Sequence, residues 1–244
     1  MTDLQVLKSV MRFLTEFATA IMLIPIAIAI YKSKILNKPL KVFLWFCLSK
    51  FAVNLLHQGF IWVVTEYQEI FMPWFNRWHI TDTNFMGILA YLTNFGFLGW
   101  YFYIVIPHEK IAKAIQWLSI GLFIFAIIDY LFIEDFRAFG VFNPSASAIF
   151  CFVLPLIHLW FLYREDSRVP LSKNPYFWIA MGLLLPNLVG CFLQFTGNAI
   201  HGEDFPLFVK ITIGKSCLAI IGQILLAIGF NYARYSQFLP LREE

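Results

Sequence analysis

Charge is what this chain has least of: Asp, Glu, Lys and Arg make up only 14% of its 244 residues, against 60% hydrophobic ones. A soluble domain carries about 25% charged residues, so a water-facing surface cannot be assembled from this composition. The net charge is only +3 and the basic residues are scattered through short segments. No arginine-rich stripe exists to neutralise phosphates, which excludes nucleic acid as a partner. Cysteine is also sparse. Cys47, Cys151, Cys191 and Cys217 all sit inside apolar runs without CxxC spacing, which excludes a disulfide framework and a cysteine metal site; they read as small buried apolar residues. The five histidines form no HxxxH or HExxH pair, and no Ser/His couple with an orienting third group is legible at membrane depth. The expectation is therefore no catalytic residue, no metal and no cofactor: this is not an enzyme.

What the chain does have is apolar length. Its mean hydropathy is +0.71, and a helix crossing about 30 Å of hydrocarbon needs about 20 mostly apolar residues. Seven such runs occur, at 10–31, 40–64, 85–106, 111–133, 146–163, 175–198 and 207–232. They predict an all-α polytopic bundle, one membrane domain over 1–244 with the lipid bilayer as its first partner. Lys8 and Arg12 precede the first run but no small-residue cleavage site follows it, so the run reads as a retained helix, not a signal peptide.

Short loops rich in Lys and Arg stay in the cytoplasm. The first, third and fifth connections and the C-terminal tail hold Lys32, Lys34, Lys38, Lys41, Lys110, Lys113, Arg164, Arg168, Lys173, Arg234 and Arg242, whereas the other side has only Lys8, Arg12, Arg77, Arg137 and Lys210. This ratio of 11 to 5 predicts an outer N-terminus and a cytoplasmic C-terminus in a bacterial inner membrane. The long second connection carries Glu69, Trp74, Trp78 and His79. It reads as an interfacial anchor or as a lid over the outer mouth of the bundle. Beyond the seventh run about a dozen residues remain, too few for a folded output domain.

Ionisable groups at membrane depth are costly and usually face a bundle interior. Lys50, Asn54 and His57 lie at i, i+4 and i+7 of the second run, and Asn187, Gln194 and Asn198 at i, i+7 and i+11 of the sixth. Each set shares one helix face. The seventh run adds Thr212, Ser216 and Gln223, together with Lys215; Asp129 lies near the end of the fourth and Glu16 in the first. Taken one at a time, the amides and hydroxyls read most simply as interhelical glue worth about 0.6–2 kcal/mol each. If the first, fourth and seventh helices meet, Glu16 or Asp129 could pair with Lys215 beside an outward-facing polar pocket; alternatively Glu16 pairs with Arg12 one turn earlier. The interior polar set for a small-molecule or lipid ligand is thus Lys50, Asn54, His57, Asp129, Asn187, Gln194, Asn198, Lys215 and Gln223.

The sixth run opens with Asn174, Pro175, Tyr176, Phe177 and Trp178, with Gly182 shortly after. With the seven-run layout, this stretch resembles the seven-helix membrane regions of bacterial sensory proteins, some of which work beside a separate histidine kinase. The resemblance implies a receptor-like module with an outer or lipid-derived signal and a cytoplasmic signalling partner. Two other functions share the layout. Seven-helix transporters are built from two three-helix repeats and a linking helix, and Pro25, Pro155 and Pro186 would serve as hinges. An offset of 133 that superposes Asn54 on Asn187 puts Pro25 on His158, so the repeat is imperfect. A retinal-binding protein would use Lys215 as its Schiff-base lysine, but the third run offers no carboxylate counter-ion.

Overall fold

The structure, a computed structural model, describes residues 3–78, 84–133, 141–164 and 169–239. Among them, seven helices are long and apolar enough to cross a membrane: Leu4–Tyr31, Lys38–Glu66, Gly87–Val105, Glu109–Ile133, Phe142–Arg164, Pro175–Gly197 and Phe205–Asn231. These are the first to seventh spans below. Many large apolar side chains, among them Phe13, Trp45, Trp62, Trp117 and Trp160, point outward, as a lipid-facing surface requires.

Three spans begin with the same local chemistry. Asn37 caps the second by accepting from the Leu40 amide at 3.4 Å, Asn174 the sixth from Tyr176 at 2.9 Å, and Asp204 the seventh from Leu207 at 2.9 Å. A proline stands in the first two positions of each helix, where its missing N–H costs nothing. The Asn174-Pro175-Tyr176 stretch does more than start a helix, because Asn37 Nδ2 also donates to the Tyr176 hydroxyl at 2.7 Å. That bond ties the starts of the second and sixth spans together.

Proline also interrupts helices. Pro25 cannot donate to the carbonyl of Ile21, and the first span breaks into Asp3–Ile21 and Leu23–Tyr31 around Met22. Pro155 and Pro186 sit inside the fifth and sixth spans. The third span widens into a π turn over Asn94–Leu98 and the fourth into another over Asp129–Ile133.

Interhelical contacts establish the alternation. Lys8 lies 4.9 Å from the Phe205 ring while Lys32 Nζ donates to the Asn231 carbonyl and side-chain oxygens at 2.6 Å, so the first and seventh spans run parallel. Gln58 meets Thr19 at 3.0 Å and Asn54 meets Met22 Sδ at 3.4 Å, so the second runs against the first. The sixth and seventh cross most closely, through glycine. A Cβ on Gly222 would lie 2.6 Å from the Gly182 carbonyl, and one on Gly182 would lie 2.8 Å from that of Gly222. Gly182 is four residues before Pro186, whose ring nitrogen cannot bond its carbonyl, so that oxygen turns to the bare Gly222 backbone instead.

The bundle thus has an N-terminal face, where the first and seventh spans start, and a C-terminal face. The packed core sits toward the latter: Leu40, Phe43, Tyr101, Phe102, Ile106, Ile179 and Phe230 are all fully buried. Phe43 touches Phe46, Tyr101 and Phe230 with ring centres 5.5, 5.0 and 5.9 Å away.

The first helix begins at Asp3, earlier than the apolar run at 10–31. Hydropathy finds the stretch that lipid tolerates, while backbone hydrogen bonding carries the helix back through the polar turns that precede it. The second connection contains a helix, Gln68–Trp78. Its Phe75 is buried against Phe60 and Phe71, 6.2 and 6.3 Å between ring centres, leaving Glu69, Trp74 and Trp78 exposed. His79 lies outside the described residues.

Candidate functional site

Midway along the bundle a cavity of about 460 Å³ opens between six of the seven spans. The second contributes Lys50 and Asn54, the sixth Asn187 beside Pro186, and the seventh Thr212, Lys215, Ser216 and Gln223. Five of the nine residues of the interior polar set, Lys50, Asn54, Asn187, Lys215 and Gln223, therefore share one wall system.

The first span adds Thr15, Thr19 and Met22, the third Asn94, and Cys47 and Cys151 close the sides. Hydropathy had not marked these. Yet Thr15, Thr19 and Met22 stand at i, i+4 and i+7, the same one-face spacing as Lys50, Asn54 and His57. Asn94 was hidden for a different reason. It is a lone amide in an apolar run, at the opening of the π turn of the third span, and its side chain donates to Ser147 Oγ at 2.8 Å.

The break of the first span and the prolines of the fifth and sixth gather at this level. Met22 marks the break in the first span, while Cys151 and Gly182 carry the carbonyls that Pro155 and Pro186 cannot bond; all three residues line the cavity. Irregular backbone in a membrane protein is tolerated where it lines an interior space. Here the break of the first span does so, and the prolines of the fifth and sixth spans, which stay α-helical throughout, adjoin the same space.

The wall hydroxyls and amides are mostly engaged. Thr212 donates to the Phe208 carbonyl at 2.9 Å, Ser216 to Thr212 at 3.1 Å, and Asn187 to Leu183 at 2.7 Å. Their oxygens retain acceptor capacity toward the cavity. The lysines differ. Lys215 is laid across Gly190, where a Cβ would lie 3.5 Å from its Cε, and Lys50 and Lys215 lie within electrostatic reach of each other. Lys215 keeps substantial accessible surface although protein surrounds its ammonium end, as a side chain at an open cavity wall does. Among the described residues, no Asp or Glu lines the cavity.

That arrangement corrects the acid–base pairing considered from sequence. Glu16 is engaged by Arg12 at 2.9 Å on the exposed surface. Asp129 is buried, but in the π turn that ends the fourth span, and the fourth span packs against the third, not between the first and seventh. Neither carboxylate is among the cavity-lining side chains. Helical periodicity places a residue on a face but does not say which neighbour that face meets. A protonated Schiff base at Lys215 would likewise find no counter-ion among the described lining residues.

The other residues of the sequence set lie elsewhere. His57 is one turn beyond Asn54 toward the N-terminal face and half-buried, outside the cavity wall. Gln194 donates to Ser145 at 3.3 Å, joining the sixth span to the fifth, and so behaves as glue. Asn198 belongs to the same helix, Pro175–Glu203, with its side chain outside the described residues. No side chain of the Gln68–Trp78 helix lines the cavity; the helix packs on the end of the second span, as an interfacial anchor would. Among the described residues no group of three His, Cys, Asp or Glu is placed to hold a metal ion.

Comparison with protein-family models, with curated proteins and with solved structures finds no match to this chain.

Proposed function

We propose that this protein is a receptor-like sensory module of a bacterial inner membrane, with its N-terminus outside, that binds a small ligand in the central cavity and signals through a separate cytoplasmic partner. The supporting observation is the cavity itself, which gathers polar side chains from spans distant in sequence. What sets it apart from glue is the pair of ionisable groups on its wall, Lys50 and Lys215; the amides and hydroxyls beside them make helix-to-helix bonds much as Gln194 does. The basic C-terminal-face connections supply a surface for the partner. Ligand occupancy would reach that surface through the first, fifth and sixth spans, whose prolines adjoin the cavity and whose lower turns pack into the aromatic core.

A transporter is the second reading, favoured by the same three prolines, since hinges beside a central site are what alternating access requires. Purification from native membranes in mild detergent, with mass spectrometry of bound proteins and small molecules, separates the two. A stoichiometric kinase or regulator supports the sensory module. A retained polar metabolite with no protein partner, and its uptake by liposomes carrying the protein, replaces that reading with transport.

A further inference from the structure

The cavity is lined by two lysines and, among the described residues, by no carboxylate. In a soluble protein this would be unremarkable, because water solvates lysine cheaply. Within an apolar bundle an ammonium group must be neutralised, reach an interface, or be compensated by an anion. Each lysine has a long stem for snorkelling, yet Lys50 is the thirteenth residue of the second helix, Lys38–Glu66, and Lys215 the eleventh of the seventh, Phe205–Asn231, so both start near mid-depth. Lys215 is moreover laid on Gly190 within the bundle. Both lysines line the same space, and when both are protonated their charges oppose each other there. Anything occupying that space with negative charge removes the repulsion and satisfies both at once.

Resting on the ligand-binding reading above, we propose that the cavity is an anion site: it takes a carboxylate- or phosphate-bearing molecule whose charged group lies between Lys50 and Lys215. Asn54 and Gln223, both on the wall, hydrogen-bond the uncharged remainder. The volume, about 460 Å³, exceeds that of a bare inorganic ion and suits a small organic acid or a phospholipid headgroup with part of its glycerol. Charge-assisted hydrogen bonds from two lysines are the principal source of affinity. The Asn and Gln contacts are the source of selectivity among anions.

The test uses the full chain in phosphatidylcholine nanodiscs, wild type against K50Q, K215Q and the double variant, with K50R retaining the charge. Succinate and inorganic phosphate are titrated against chloride at matched ionic strength, reading thermal stability. In parallel, nanodiscs containing phosphatidylglycerol are examined by native mass spectrometry for retained lipid. Saturable stabilisation by either free anion, weakened about tenfold or more by each single Gln variant and abolished in the double, supports a soluble anionic ligand. Retention of phosphatidylglycerol by the wild type and K50R but not by the double variant supports a lipid headgroup. If no anion distinguishes the wild type from the double variant, the anion site is overturned. The binding reading survives that result if a neutral compound retained from native membranes stays bound in the double variant, and falls with it if nothing is retained.

Discussion

The two halves of the bundle are made by the same helices and obey different rules. Toward the C-terminal face, the second span buries Leu40, Val42, Phe43, Phe46 and Cys47, and the seventh buries Leu226, Ala227 and Phe230. Toward the N-terminal face the second span buries no residue from Lys50 onward, and polar side chains face an open space. Lipid tails are as apolar as Leu, so burial from water does not hold either half together. The lower half is held by close contact between rings, whereas the upper half gives up contact to keep a cavity. Rigidity and recognition are thereby separated along one set of helices, and the prolines of the first, fifth and sixth spans lie where the two meet.

That contrast can be broken most severely at the boundary. Gly222→Leu would drive a side chain into the Gly182 carbonyl, 2.6 Å from where its Cβ must stand. The sixth and seventh spans would separate, with a loss of about 4 kcal/mol or more and collapse of the monodisperse yield in size-exclusion chromatography. Phe43→Ala in the lower half removes a fully buried ring with three aromatic neighbours. It should cost about 3 kcal/mol, read as a lowered melting temperature.

The upper half should respond in the opposite sense. Lys50→Leu removes an ionisable group from an apolar bundle and should leave stability unchanged or raise it by up to about 2 kcal/mol, read from the melting temperature, while abolishing whatever response the ligand evokes. A destabilisation equal to that of Phe43→Ala would mean Lys50 holds the fold, and the division between halves would be lost. Gly190→Leu sharpens the point without touching charge. It displaces the Lys215 stem, so the ligand response should weaken while the fold persists. Smallest of all, Glu16→Gln breaks only an exposed pair with Arg12 and should shift stability by less than about 0.5 kcal/mol.

The spans were legible because lipid imposes one condition on every crossing segment, and a run of apolar residues meets it or does not. Lys50, Asn54, Asn187, Lys215 and Gln223 were legible as interior groups for the same reason: polar atoms at that depth have few places to face. Glu16 and Asp129 show where the reasoning stops. Both sit at membrane depth in the sequence, yet one turns to its own helix neighbour and the other ends a span that lies against the third. Asn94 marks a second limit, since a lone amide in an apolar run does not say which neighbouring helix it meets.

By itself the sequence determined the number of spans, their order, the caps that start the second, sixth and seventh, and the prolines that fall within the first, fifth and sixth. Each of these follows from backbone hydrogen bonding and solvent, which act on a segment of about 20 residues regardless of its neighbours. Only the tertiary structure decided that Lys50 and Lys215 face one cavity, that no described carboxylate lines it, and that those prolines adjoin it. Those outcomes depend on which helices touch. The choice was made by close fits such as Gly182 against Gly222, whose energy comes from atoms far apart in the chain meeting at a few ångströms.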